Sequence, residues 1–264
     1  MKIAIAQLDI IWEDKEENFK KVEKLAQNAK GCDVLVLPET FSTGFSMKTF
    51  LSEPKGGKTE QFLSQLASSL NINIIAGYFV KHYNKAKNIA AVFSRKGRLL
   101  ATYVKIHPFS LLEEDKYFVS GKSPVIFKLQ SNFLKRCRKY KIDKTPCSVF
   151  ICYDLRFPEV FRKIAPNVFV IFIIANWPSS RDLHWQSLLK ARAIENQCFV
   201  VGVNRVGVDG NGIAYSGHSS VYDPWGNEIL IADNKESINI CHLQIEKVSE
   251  TREKYPFLKD MKTF

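Results

Sequence analysis

The feature that most limits what this chain can fold into is a set of short runs that are apolar on both faces and stop at a polar residue. Residues 33–37 (DVLVL) run into Pro38-Glu39, residues 147–152 (CSVFIC) into Tyr153-Asp154, and residues 168–175 (VFVIFIIA) into Asn176. A strand with one wet face alternates apolar and polar residues; these do not, so they have to be covered on both sides. Residues 2–8 read the same way. Helical periodicity separates them. Over 14–30, Phe19, Val22, Leu25, Ala26 and Ala29 share a face and Gly31 supplies the stop. Thr59 can cap a second helix carrying Phe62, Leu63, Leu66 and Leu70. Helical stretches are also expected at 157–164, at 182–197 and from Ile245 onward. Further strands are expected at 72–80, 89–95, 99–105, 124–129, 131–137, 199–204, 219–222, 228–232 and 237–244. The order is α/β, or mixed α+β, in one domain spanning 1–264.

Composition narrows the function. Apolar residues make up 45% of the 264, a globular value. No apolar run reaches the ~18 residues of a membrane span. The short apolar start turns acidic at Glu13 to Glu17, unlike a secretory leader. The six cysteines form no C-x-x-C pair, so buried free thiols in a reducing cytoplasm are expected, and no metal. The net charge of +11 could attract nucleic acid. Much of it is local, however, in the run KRCRKYKIDK (135–144), and no nucleic-acid-binding signature accompanies it.

Three residues at strand ends have complementary chemistry: Glu39 after DVLVLP, Lys105 at the end of LLATYVK, and Cys152 at the end of CSVFIC. Open α/β sheets collect sites at the carboxyl ends of strands. A thiol is a nucleophile, a carboxylate a base, and an ammonium a partner for developing negative charge. Taken singly each has a plainer reading: a solvated loop acid, a surface lysine, a core cysteine. Spacing does not show that they meet.

The segments LPETFSTGF, YVKIHPF and ICYDLRFPE resemble, in order and rough separation, the three signature blocks of the nitrilase superfamily of carbon–nitrogen hydrolases. The similarity runs from about residue 2 to about residue 255. It implies a four-layer αββα sandwich, a Glu39–Lys105–Cys152 triad, no cofactor and a homodimer joined partly through the C-terminal region. It also implies a second glutamate, usually seven residues before a glycine. Counting back from Gly121 gives Glu114, with Glu113 the neighbouring alternative. The stretch between Gly121 and Cys152 is about ten residues longer than the family pattern, which places a basic insertion at about 133–145.

The implied chemistry is attack of the Cys152 sulfur on an amide carbon. Glu39 moves the proton, and Lys105 favours the thiolate. Lys105 and the backbone N–H of Tyr153 receive the oxyanion. The motifs NWPSSRDLHWQSLLKARAIENQ and NRVGVDGNGIAYSGHS resemble the ω-amidase branch, whose substrates are 2-oxo acid amides such as 2-oxoglutaramate. Arg181 is then a candidate for the substrate carboxylate, and Trp177 and Phe41 for the pocket wall. An N-carbamoyl-amine hydrolase or a nitrilase is the alternative within the class. A basic nucleic-acid-associated protein and a non-catalytic interaction module are the alternatives outside it.

Overall fold

The computed structural model describes residues 1–130 and 144–262. The expected strand at 131–137, the insertion at 133–145 apart from its last two residues, and Cys137 lie outside them. The strands are β1 (Lys2–Gln7), β2 (Val34–Val36), β3 (Asn73–His82), β4 (Lys85–Phe93), β5 (Leu99–Val104), β6 (Ile126–Leu129), β7 (Thr145–Ile151), β8 (Val170–Ala175), β9 (Phe199–Asn204), β10 (Val206–Val208), β11 (Ala214–Ser216), β12 (Ser220–Tyr222), β13 (Glu228–Ile231) and β14 (Ser237–His242). The helices are α1 (Lys15–Ala26), α2 (Lys58–Leu70), α3 (Glu114–Tyr117), α4 (Pro158–Arg162), α5 (Asp182–Asn196) and α6 (Glu246–Lys254).

Two six-stranded sheets form, in the orders β14-β1-β2-β3-β4-β5 and β13-β12-β9-β8-β7-β6. In each, three strands run parallel (β1, β2, β3 and β7, β8, β9), with two antiparallel strands after them and one before.

The doubly apolar runs explain the layering. In the first sheet Ile3, Ile5, Val34, Val36, Ile75, Ala90 and Val92 face the second sheet and share one core with Val149, Ile171 and Val201. Their alternates Ala4, Ala6, Leu35, Ile74, Ala76, Ala91 and Phe93 pack on Phe19, Val22 and Ala26 of α1 and on Leu63, Leu66 and Ala67 of α2. The second sheet is covered by Trp185, Leu189 and Ala193 of α5. Strand parity thus gives two dry faces, and the helices supply the outer layers, as the αββα reading requires. No helix among the described residues is long and apolar enough to cross a membrane.

Local details differ from the sequence reading. The first helix ends at Ala26 and tightens into a 3-10 turn, Gln27–Ala29, before Gly31 reverses the chain at φ +78°. Thr59 is not the cap of α2. Gly57 is, and the Glu53 carboxylate instead accepts hydrogen bonds from the Thr59 N–H and hydroxyl. The β3–β4 hairpin is longer than expected and turns at Tyr83, in the left-handed region. The β10–β11 hairpin and α3 carry too few residues to leave a periodic signal.

Candidate active site

Glu39 lies just past β2. The β2–β3 ladder continues beyond the strand through Leu37 N–H to Ile75 O, so Pro38 and Glu39 stay on the sheet edge. Gly77 of β3 is what lets them: a Cβ there would sit 2.7 Å from the Glu39 Cα and 2.9 Å from the Thr40 nitrogen. Thr40 then turns at φ +45°, aiming the Glu39 side chain inward, where it is fully buried.

Lys105 follows β5 and is 1% exposed. Its Nζ donates to Glu39 Oε1 at 3.0 Å and to Glu114 Oε2 at 2.8 Å. Glu114 opens α3 and is fully buried, whereas Glu113 is exposed and pairs with Lys116. The geometry therefore brings in Glu114 of the two candidates. Asn88 of β4 bridges the carboxylates, its Nδ2 donating to Glu39 Oε1 at 2.8 Å and Glu114 Oε1 at 2.9 Å.

Cys152 follows β7 at φ +45°, a left-handed turn that opens a short 3-10 segment, Cys152–Arg156. For a residue with a Cβ that conformation costs roughly 1–2 kcal/mol. The turn holds because Asp154, fully buried, fastens it: its carboxylate accepts the Ile151 N–H at 3.1 Å, the His107 N–H at 2.9 Å and the Tyr103 hydroxyl at 2.7 Å. One carboxylate thus ties residues on either side of Lys105 to the turn carrying the thiol. Across the sheet interface Asn176, just past β8, donates its backbone N–H to Glu39 Oε2 at 2.9 Å, and its carbonyl faces the Cys152 sulfur at 3.7 Å.

The electrostatics correct one expectation. Lys105 was expected to favour the Cys152 thiolate. Burial instead pushes the Cys152 thiol well above its usual range, Glu39 and Glu114 add to this, and Lys105 only partly offsets them. Burial acts to lower the Lys105 ammonium, but Glu114 and Glu39 outweigh it and the group is raised. Burial, helped by Glu39, raises Glu114 against the pull of Lys105. The lysine stays charged and the sulfur holds its proton at rest.

Lys105 and Cys152 line a small cavity of about 30 Å³ together with Phe45, Phe109, Asn176, Trp177, Arg156, Arg181 and Tyr215. It adjoins a wider vestibule of about 670 Å³ formed by Phe109, Ser110, Leu111, Tyr153, Arg156 and Arg181. Trp177 and Arg181 both line the cavity, and the Trp177 indole N–H donates to the Arg181 carbonyl at 2.9 Å. Phe41 does not. Its ring packs with Phe19 and Phe62 in the core under α1 and α2, and Phe45 takes the wall, 4.9 Å from the Lys105 ammonium. Thr40 and Gly44, both at positive φ, turn the chain twice in this segment, so parity along it was no guide. Arg156 was also missed; its guanidinium lies over Trp177 at 4.9 Å. Asn88 and Asn176 were missed as well. Asn88 sits in a strand with no motif, whereas Arg156 and Asn176 lay inside quoted motifs without being singled out. Among the described residues no cluster of three or more His, Cys, Asp or Glu could hold a metal.

The chain is similar to known proteins along nearly its whole length. The family model described as carbon–nitrogen hydrolase matches residues 2–253. The chain is 34% identical over 265 residues to a 2-oxoglutaramate amidase of Bacillus subtilis (strain 168), covering 98% of this chain and 97% of that one. It is 33% identical to the omega-amidase YafV of Escherichia coli (strain K12), covering 100% and 98%. Among solved structures, XC1258 from Xanthomonas campestris, a CN-hydrolase superfamily protein with an arsenic adduct in its active site, superposes with a TM-score of 0.91 at 28% identity, covering 100% and 98%.

Proposed function

The chain belongs to the carbon–nitrogen hydrolase family, and on that premise we propose that it is an ω-amidase that hydrolyses 2-oxoglutaramate to 2-oxoglutarate and ammonia. The observation that carries the substrate reading is the shape of the site. A small cavity holds the thiol and the lysine, and it opens into a vestibule that two guanidinium groups line. A small amide fits the first and a carboxylate a few carbons away reaches the second, where Arg181 and Arg156 can hold it as charge-assisted pairs.

Glu39 takes the proton from Cys152 as the sulfur attacks the amide carbon; with the thiol held neutral, deprotonation and attack go together. The Lys105 ammonium and the Tyr153 backbone N–H receive the oxyanion. Glu39 returns the proton to the leaving ammonia, then activates the water that cleaves the thioester. Glu114 and Asn88 hold Lys105 and Glu39 in register. The reaction uses no cofactor.

We assign residues 1–264 to one catalytic domain whose basic insertion at about 133–145 the reaction does not need. The protein works as a homodimer joined through its C-terminal region, which supports this with a half-exposed aromatic row, Trp225, Tyr255 and Phe257. It resides in the cytoplasm, consistent with the free thiols of Cys32, Cys147, Cys152, Cys198 and Cys241.

Ammonia release from 2-oxoglutaramate, glutamine, N-carbamoyl-β-alanine and a simple nitrile tests the assignment. 2-Oxoglutaramate should exceed glutamine at least about a hundredfold in kcat/KM, because the glutamine ammonium would sit among cations without a partner. Comparable turnover of the two would defeat the ω-amidase reading and leave amide hydrolysis standing. Arg181→Ala should raise KM for 2-oxoglutaramate and barely alter turnover of an amide lacking a carboxylate. Equal loss on both would make Arg181 structural.

A further inference from the structure

The positive charge of the chain is unexplained by the reaction, and part of it converges on a second cavity. At the opposite ends of the parallel strands from Cys152, about 340 Å³ of space is lined by Arg95, Lys96, Arg98, Lys128 and Lys144, with Asn71, Asn73, Ser94 and Gln130 between them. Among the described residues no carboxylate lines it. Arg95 is the innermost cation, its side chain 15% exposed and paired with the fully buried Asp33. Its Nε is buried and lacks a hydrogen-bond partner among the described residues. The other four cations are exposed, and among the described residues none of them has an ion-pair partner.

Beside the Arg95–Asp33 pair, four like charges without an ion-pair partner among the described residues repel one another, which is unfavourable unless an anion or its counterions sit among them. The interleaved amide and hydroxyl groups add neutral donors between the charges. The elements that bear them are rigid: Asn73 begins β3, Arg95 follows β4, Leu100 lies in β5, Lys128 in β6, and Lys144 precedes β7. The depression therefore bridges the β3–β4–β5 side of one sheet and the β6–β7 edge of the other.

We propose that this cavity is a binding site for a small polyphosphate anion, such as the triphosphate group of a nucleotide or a free oligophosphate. Its volume suits a few linked phosphates rather than a single ion. The cation set demands more charge than one carboxylate carries. The site lies the length of β7 from the catalytic thiol, roughly 20 Å at ~3.3 Å per residue, so the two are occupied independently.

The test is calorimetric titration of the full chain with sodium tripolyphosphate and with ATP at 50 and 200 mM salt, beside Arg98→Gln, Lys128→Gln and their double variant. Arg95 is left intact because it neutralises a buried carboxylate. The expected result is saturable one-to-one binding that weakens at least about fivefold at the higher salt. Each single variant should weaken it about three- to tenfold, with amidase kcat/KM and thermal midpoint unchanged. A control substitution of the distant Lys20→Gln should have no effect. Binding of both anions assigns the site to the phosphate chain; binding of ATP alone assigns it to a nucleotide. Three results would overturn the proposal: no saturable heat at 50 mM salt, an affinity indifferent to the double variant, or a single-stranded oligonucleotide binding more tightly through the same residues.

Discussion

The two sheets of this protein are built alike and armed differently. Each runs β-α-β-α-β through three parallel strands and adds antiparallel strands at its edges. The first sheet brings the charged groups, Glu39 past β2, Lys105 past β5 and Glu114 just after it, and the Asn88 amide on β4 that bridges the two carboxylates. The second brings the thiol past β7 and, past β8 where the first has Glu39, the neutral Asn176. The two residues at matching positions touch, Asn176 N–H to Glu39 Oε2. One topology therefore offers the same strand-end positions twice, and the difference in side chains divides the chemistry. On the proposed mechanism, proton handling and charge stabilisation belong to one half and the nucleophile to the other. The site is complete only when the two faces pack.

Removing the single contribution of the second sheet gives the largest expected effect. Cys152→Ala should reduce ammonia release below a few per cent while circular dichroism and thermal midpoint stay near those of the parent. Measurable turnover above that level would return the nucleophile's role to another group. On the first sheet, Glu39→Gln and Lys105→Ala should each lower kcat at least about 10²-fold. They should differ in stability. Lys105→Ala leaves two buried carboxylates without their cation, a loss of about 3–5 kcal/mol by denaturant titration. Lys105→Met combined with Glu114→Gln should recover much of that stability and none of the activity. Recovery of both would mean the charges act only on the fold.

The joint between the halves can be loosened without touching either set. Asp154→Asn keeps the size of the side chain but weakens its hydrogen bonds with Tyr103, His107 and Ile151. A fall in kcat of about tenfold with little change in KM is expected. A sharper reading comes from alkylation by a small neutral electrophile followed against pH. Because the Cys152 thiol is held above its ordinary range, its labelling should still be rising above pH 10, where a free thiol of pKa ~8.5 has levelled off. If Asp154 sets the distance to Lys105, the Asn variant should shift that profile; an unchanged profile would reduce Asp154 to a fold residue. The smallest effect is expected from deleting residues 135–144. The last pair before that segment, Leu129 and Thr145, lies at the opposite end of β7 from Cys152. Activity should remain within about twofold, and a large rise in KM would tie the basic run to substrate entry.

How far the chain could be read without coordinates follows the same division. Doubly buried strands announce themselves, because dry faces admit only apolar residues, so the sheets, the outer helices and the strand-end positions of Glu39, Lys105 and Cys152 were legible. Side chains that act through turn geometry were not. Phe41 and Phe45 sit four residues apart in one motif, and only the two positive-φ reversals at Thr40 and Gly44 decide which reaches the cavity. Asn88 had no signal, since a polar residue inside a strand looks like a wet position until a carboxylate is placed against it. The raised thiol was illegible for a different reason: it depends on the sum of burial and two acids over one base, a balance that no motif states.

The narrowness of the inner cavity sets an order of traffic. On the proposed mechanism, a cavity this small leaves the departing ammonia and the incoming water the same approach to the acylated sulfur. The ammonia released in the first half of the reaction occupies the spot from which water must attack in the second. Departure of the first product thus precedes entry of the second reactant, and the vestibule is the shared corridor. Ammonia that lingers there re-forms the amide, so an external amine such as hydroxylamine, offered at high concentration, should compete with water for the same place and leave as the hydroxamate.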